Sequence, residues 1–189
     1  MASLQSHHEF LSSQKDNTFH HPAKNVAIRP LRADEVDKLI VLWKEFLNDP
    51  SAIDRLIPTH EENTKRETEF VNKLIAEDPR QVLVAEEGGN LIGYVMCQRQ
   101  TKTALQMRHQ WGYISDLYVV PSNRRHGVGR DLLRACLDYL QSTGVSHARL
   151  GVWSPNSRAI QLYKQLGFKE YMLMMEAELS PKELSASLS

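Results

Sequence analysis

Neither charge is in surplus in this chain: 23 Lys and Arg balance 23 Asp and Glu, leaving a formal net charge of zero over 189 residues. Affinity for a nucleic-acid backbone comes from neutralising phosphates with basic side chains, so the balance excludes a generic nucleic-acid binder. Cysteine is scarce too. Cys97 and Cys136, 39 positions apart in apolar segments, make neither a disulfide framework nor a zinc knuckle, and read as buried, reduced thiols of a cytoplasmic protein. No apolar run approaches the roughly 18 residues of a membrane span, and the N-terminal stretch lacks the apolar region of a secretory signal. The pairs His7-His8 and His20-His21 have no Cys or Asp cluster at ligand spacing beside them, so no metal is expected. What the chain does have is 41% apolar and 24% charged residues, enough for one soluble globular domain.

The pattern divides the chain into a polar mobile tail (1–24), a folded domain (25–179) and a flexible Ser-rich end (180–189). Val26 to Ile28 reads as a first strand. Asp34 is placed to cap a helix whose apolar residues are Val36, Leu39, Ile40, Trp43, Phe46 and Leu47. Residues 48–60 read as irregular, and Glu61 to Glu77 as a second helix stopped by Pro79. Val82 to Ala85, the turn Glu87-Gly88-Gly89-Asn90 and Leu91 to Cys97 predict a hairpin. A polar stretch, 98–110, separates it from a third strand, Trp111 to Val120. A helix closed by Gly144, a strand over Ala148 to Trp153, a helix over Asn156 to Leu166 and a last strand from Phe168 to about Glu178 follow. This order implies an α+β fold with a mixed, mostly antiparallel sheet flanked by helices, and a parallel strand pair where the third helix crosses over.

Chemistry concentrates in Arg124-Arg125-His126-Gly127-Val128-Gly129-Arg130, between a strand and a helix. Three guanidinium groups stand there without a carboxylate. Glycines at a helix start let an anion approach the backbone, where free N–H groups and the helix dipole favour negative charge. The better-known phosphate loops do not fit: Gly129 is followed by Arg130-Asp131 rather than Lys-Ser/Thr, and Leu132 stands where a dinucleotide fingerprint needs Gly or Ala. About 27 residues on come Asn156-Ser157-Arg158-Ala159-Ile160-Gln161-Leu162-Tyr163 and Leu166-Gly167-Phe168.

With both motifs in this order, the sequence resembles the GNAT superfamily of N-acetyltransferases. Arg124 to Gly129 matches its Arg/Gln-x-x-Gly-x-Gly/Ala signature, the Asn156-to-Tyr163 segment ending in Leu166-Gly167-Phe168 its later motif, and Ile114 to Val119 its central strand. The resemblance implies acetyl-CoA as co-substrate, with the pyrophosphate on the backbone amides from Arg125 to Arg130. It implies that the central strand splays from its parallel neighbour, with the backbone groups of Leu117 and Val119 binding the thioester carbonyl and the pantetheine amide, and with Asn156 contacting the cofactor arm. Tyr163 is the expected general acid, since a phenol with a pKa of about 10 can protonate a departing thiolate.

The base is open. Many members of the family carry a Glu where this chain has Ser115, which leaves Asp116 as a water-relayed base, an anchor for a cationic acceptor, or a structural residue. The acceptor is a small cationic amine or a protein N-terminus or lysine. Glu45, Asp49, Asp54, Glu61 and Glu62, against Lys44 and Arg55, would give an acidic lip suited to a cation, and Trp111 and Tyr113 are candidate lining residues. Family members often form dimers. The competing reading is a non-catalytic acyl-CoA-binding or sensing module.

Overall fold

The computed structural model describes residues 19–20, 25–49, 61–104, 107–175 and 177. Residues 1–18, 21–24, 50–60 with Asp54 and Arg55, 105–106, 176 and 178–189 lie outside the described residues. A first unit, Met1–Asn156, carries the sheet, and a second comprises Ser157–Ser189.

Among the described residues the sheet has six strands in sequence order: β1 (Phe19–His20), β2 (Val26–Pro30), β3 (Val82–Glu87), β4 (Asn90–Ala104), β5 (Met107–Val119) and β6 (Ala148–Leu150). All neighbours are antiparallel except β5 and β6, the expected parallel pair. Two expectations are corrected here. The segment read as tail contributes β1, and the polar stretch 98–110 extends the β4–β5 hairpin from Gln98↔Tyr113 to Ala104↔Met107. Polar residues form strands when a ladder partner supplies the hydrogen bonds, whatever their intrinsic preference.

Helices α1 (Val36–Leu47) and α2 (Glu61–Glu77) pack on one face. Leu39, Ile40 and Trp43 of α1 and Val71 and Leu74 of α2 share a core with Val84, Tyr94, Met96 and Tyr118 of the sheet. Helix α3 (Val128–Ser142) covers the opposite face with Leu132, Leu133, Cys136 and Leu140. Gly144, at φ 84°, closes α3 as expected. At the start of α1, Asp34 is not the cap. A 3-10 turn over Ala33–Glu35 precedes the helix, and Glu35 accepts from the Arg32 N–H at 3.2 Å. The same carboxylate takes two 2.8 Å hydrogen bonds from the Arg29 guanidinium, whose Nε reaches Glu86 at 2.6 Å. This buried cluster ties β2, β3 and the entry to α1 together.

In the second unit, α4 (Ser157–Gln165) ends in a Schellman motif. The Phe168 N–H donates to the Tyr163 carbonyl at 3.1 Å and the Gly167 N–H to Lys164 at 3.1 Å, with Gly167 at φ 88°. The Tyr163 and Phe168 rings pack 5.8 Å apart, the apolar contact that accompanies this cap. The strand expected from Phe168 is absent among the described residues: 168–175 has no regular structure, and Tyr171 to Met175 are exposed. Their composition suits a strand, but a strand exists only where a ladder partner is present.

Candidate functional site: a strand edge and a helix start

Two left-handed residues shape the loop that opens α3. Arg125 has φ 64° and Gly127, the residue before the helix, φ 89°. A non-glycine at positive φ is uncommon, and such turns fold successive N–H groups into an anion-binding concavity. The Gly127 carbonyl accepts from the Arg130 and Asp131 N–H groups at 2.9 and 3.0 Å, so the Arg130 amide is committed to the helix. The amides of Arg125, His126, Gly127, Val128 and Gly129 precede these first helical hydrogen bonds. Val128 is buried and holds the loop down, while Arg125, His126 and Gly127 are exposed.

Arg124, expected to face the anion, has its charge met elsewhere. Its guanidinium pairs with Asp49 after α1, donates from Nε to the Val119 carbonyl at 2.8 Å, and lies 5.4 Å from the centre of the Tyr118 ring. It braces the loop against β5 and α1. Asp49 is thereby removed from the acidic lip, and Glu45 accepts from the Tyr118 hydroxyl at 3.4 Å. A cleft of about 560 Å³ lies here, lined by Lys44, Glu45, Asp49, Tyr118, Pro121 and Arg124 among others.

Next to the cradle, β5 loses its parallel partner. The β5–β6 ladder runs only from Gly112↔Ala148 to Ile114↔Leu150, shorter than the predicted strand to Trp153. Beyond it, the Val120 N–H donates to Ile92 of β4 at 3.0 Å, so alternation turns the N–H groups of Leu117 and Val119 toward the edge that β6 no longer covers. A polarising donor for a carbonyl oxygen and a second donor two residues on are thus available along one open edge. Asn156 follows β6, with its N–H on the Trp153 carbonyl at 2.9 Å. Of the aromatic candidates, Trp111 stacks under the Arg149 guanidinium at 4.6 Å and Tyr113 is partly exposed.

Asp116 lies on this stretch, one residue before Leu117. A β-bulge displaces Ser115, so that Met96 opposes Asp116 and Cys97 opposes Ile114. Ile114 and Asp116 consequently face opposite sides of the sheet, and Asp116 joins the α1/α2 face. Burial pushes its carboxyl above the usual range, against a hydrogen bond from Ser115. Two groups there were not singled out from the sequence. Burial and the Asp116 charge raise Glu67 of α2 to about 7. Burial, with the charges of Asp116 and Glu67, also holds the Tyr94 phenol well above its ordinary value. The signal for Glu67 was a carboxylate on the apolar stripe of α2, four residues before Val71 and seven before Leu74.

Cys97 and Cys136 are buried, as expected, and they face each other across the α3 side; the contact and burial raise the Cys136 thiol far above its ordinary value. Among the described residues, no helix is long and apolar enough to cross a membrane, and no three His, Cys, Asp or Glu side chains are grouped as metal ligands.

The sequence model described as "Acetyltransferase (GNAT) family" matches residues 43–168. A mycothiol acetyltransferase of Thermobispora bispora is 36% identical over 97 residues, which are 50% of this chain and 32% of that protein. An uncharacterised N-acetyltransferase of Bacillus subtilis is 32% identical over 101 residues, 53% of this chain and 66% of its own. The chain thus spans from about a third to two thirds of the length of these relatives. Among solved structures, aminoglycoside N-acetyltransferase AAC(6')-Iy in complex with CoA superimposes with a TM-score of 0.64 at 15% identity, over 82% of this chain and 94% of that one. A predicted acetyltransferase with acetyl-CoA from Clostridium acetobutylicum gives 0.65 at 18% identity, over 81% and 96%. With the family match spanning the central strand, the cradle and the Tyr163 segment, the chain belongs to the GNAT family of acetyltransferases.

Proposed function

We propose that the chain transfers an acetyl group from acetyl-CoA to a primary amine by direct attack in a ternary complex. The observation that carries this reading is the open N–H edge of β5 at Leu117 and Val119, lying beside a helix start whose first amides are unused. The amides of Arg125 to Gly129 suit the pyrophosphate, and the Leu117 N–H is the donor for the thioester carbonyl. A pre-placed N–H stabilises charge developing on that oxygen, an effect worth roughly 3 kcal/mol in comparable sites. Asn156 contacts the cofactor arm.

Tyr163 supplies the proton to the departing thiolate. Its backbone is fixed by the Schellman bonds and its ring packs against Phe168. The buried thiols favour direct attack over an acyl-cysteine route. A small amine acceptor is supported by a relative named for mycothiol acetylation and a structural neighbour named for aminoglycoside acetylation. The exposed Ser115, where the family often carries Glu, favours the second reading, a non-catalytic acyl-CoA sensor.

Thiol release from acetyl-CoA in the presence of spermidine, kanamycin and a short peptide with a free N-terminus separates the two. Amine-dependent release is expected. Tight acetyl-CoA binding without release under any amine would establish the sensor.

A further inference from the structure

We infer that Glu67 accepts the proton of the incoming amine, acting beside Asp116 and a water site bounded by the Tyr94 phenol. The assignment rests on the acetyltransferase reading and names the base that reading lacks. Three independent placements meet at this point.

The first is on α2. Val71 and Leu74 are buried in the core that also contains Tyr94, Met96 and Tyr118, and Glu67 continues their stripe toward the helix start. The second is the bulge at Ser115. Without it, Asp116 would share the face of Ile114 and look toward α3; with it, Asp116 stands across from Met96 on the α2 face. Bulges re-aim side chains in this way beside functional sites. Asp116 adjoins Leu117 in sequence, its Cα roughly 3.8 Å from that of the proposed thioester donor.

The third is Tyr94. Its side chain is fully buried, and its hydroxyl has no hydrogen-bond partner among the described residues. Its phenol feels both the Asp116 and the Glu67 charges and stays protonated. A buried O–H without an acceptor costs about 1–3 kcal/mol. A water between this hydroxyl and the two carboxylates removes that cost and forms the relay.

The titratable groups that act on Glu67 are Asp116 from β5 and the neutral phenol of Tyr94 on β4, while the Glu45 carboxylate of α1 is engaged by the Tyr118 hydroxyl. Ser115 holds Asp116 by a hydrogen bond. The surroundings thus keep a proton on Glu67 to near neutrality, as a base working near pH 7 requires.

The ammonium form of the acceptor gives one proton through the water to a Glu67 oxygen. The freed nitrogen lone pair attacks the thioester carbon. When the C–S bond breaks, its electron pair leaves on sulfur, the sulfur takes a proton from Tyr163, and the second nitrogen proton restores the phenol. Glu67 then returns its proton to solvent. The products are the amide, the free thiol and one proton.

The test uses the full chain, wild type and Glu67→Gln, with Glu69→Gln, also on α2 but exposed, as control. Carboxyl 13C NMR should show one Glu titrating near 7 in wild type and missing in Glu67→Gln, moving down in Asp116→Asn. Thiol release with the three amines should fall about 100-fold in Glu67→Gln, with acetyl-CoA affinity within a factor of two and loss of the acid limb near pH 7. A Glu67 midpoint in the ordinary carboxylate range, or undiminished release in Glu67→Gln, overturns the assignment and leaves the acetyltransferase reading standing. No wild-type release with any of the three amines overturns both.

Discussion

Replacing Glu35 by Gln perturbs the one ion cluster that this fold buries among its described residues. Arg29 and Glu35 side chains are 10% and 6% exposed, and they meet through two parallel 2.8 Å hydrogen bonds. Removing one partner of a buried pair costs about 3–5 kcal/mol, because the other charge stays buried and uncompensated. Glu86 remains on the Arg29 Nε, which places the expected loss at the lower end, about 3 kcal/mol. For a domain of this size that is a fall in Tm of roughly 6–12 °C. Urea unfolding followed by circular dichroism should show a lower midpoint at unchanged slope, since the surface exposed on unfolding does not change.

The same cluster has a pH signature. The Arg29 guanidinium, and the Arg32 N–H, hold the folded Glu35 carboxyl below its ordinary value against the effect of burial. Its contribution is therefore fully present above the unfolded pKa and is lost as pH falls through the depressed folded value. Wild type and variant should differ most at neutral pH and converge in acid. A neutral-pH difference under about 0.5 kcal/mol, the level of an ordinary surface change, would refute the view that the cluster fixes the entry of α1 over the sheet.

Tyr163→Phe should lower turnover in thiol release by about 100-fold or more, with acetyl-CoA affinity measured by calorimetry nearly unchanged; unchanged turnover would remove Tyr163 from the mechanism. Gly127→Val places a β-branched residue at φ 89°, so acetyl-CoA affinity should drop at least tenfold, together with a loss of about 1–2 kcal/mol in stability. Wild-type affinity in a folded Gly127→Val would separate the loop from cofactor binding.

The sequence carried the parts of this account that depend on local pattern. The α2 stripe, stopped by Pro79, is reproduced from Glu61 to Glu77, and the Gly88-Gly89 turn sits where β3 and β4 join. The glycine loop and the Leu166-Gly167-Phe168 motif both have a physical reading, a left-handed helix start and a Schellman end. What pattern could not carry depends on partners distant in the chain. Arg124 looked like a free cation until Asp49, 75 residues away, met it. Glu67 carries no motif of its own, and its environment depends on Asp116, which the bulge at Ser115 turns to the α2 face. Hairpin length from 98 to 110 likewise followed from strand pairing rather than composition.

The most direct measurement of the central claim is an amide chemical-shift map of the 15N-labelled chain titrated with acetyl-CoA. The N–H groups of Leu117, Val119 and Arg125 to Gly129 should shift together in one saturable transition, while the Arg130 amide, bonded to the Gly127 carbonyl, moves less. Saturating acetyl-CoA that leaves the β5 edge and the α3 start unshifted would contradict the account.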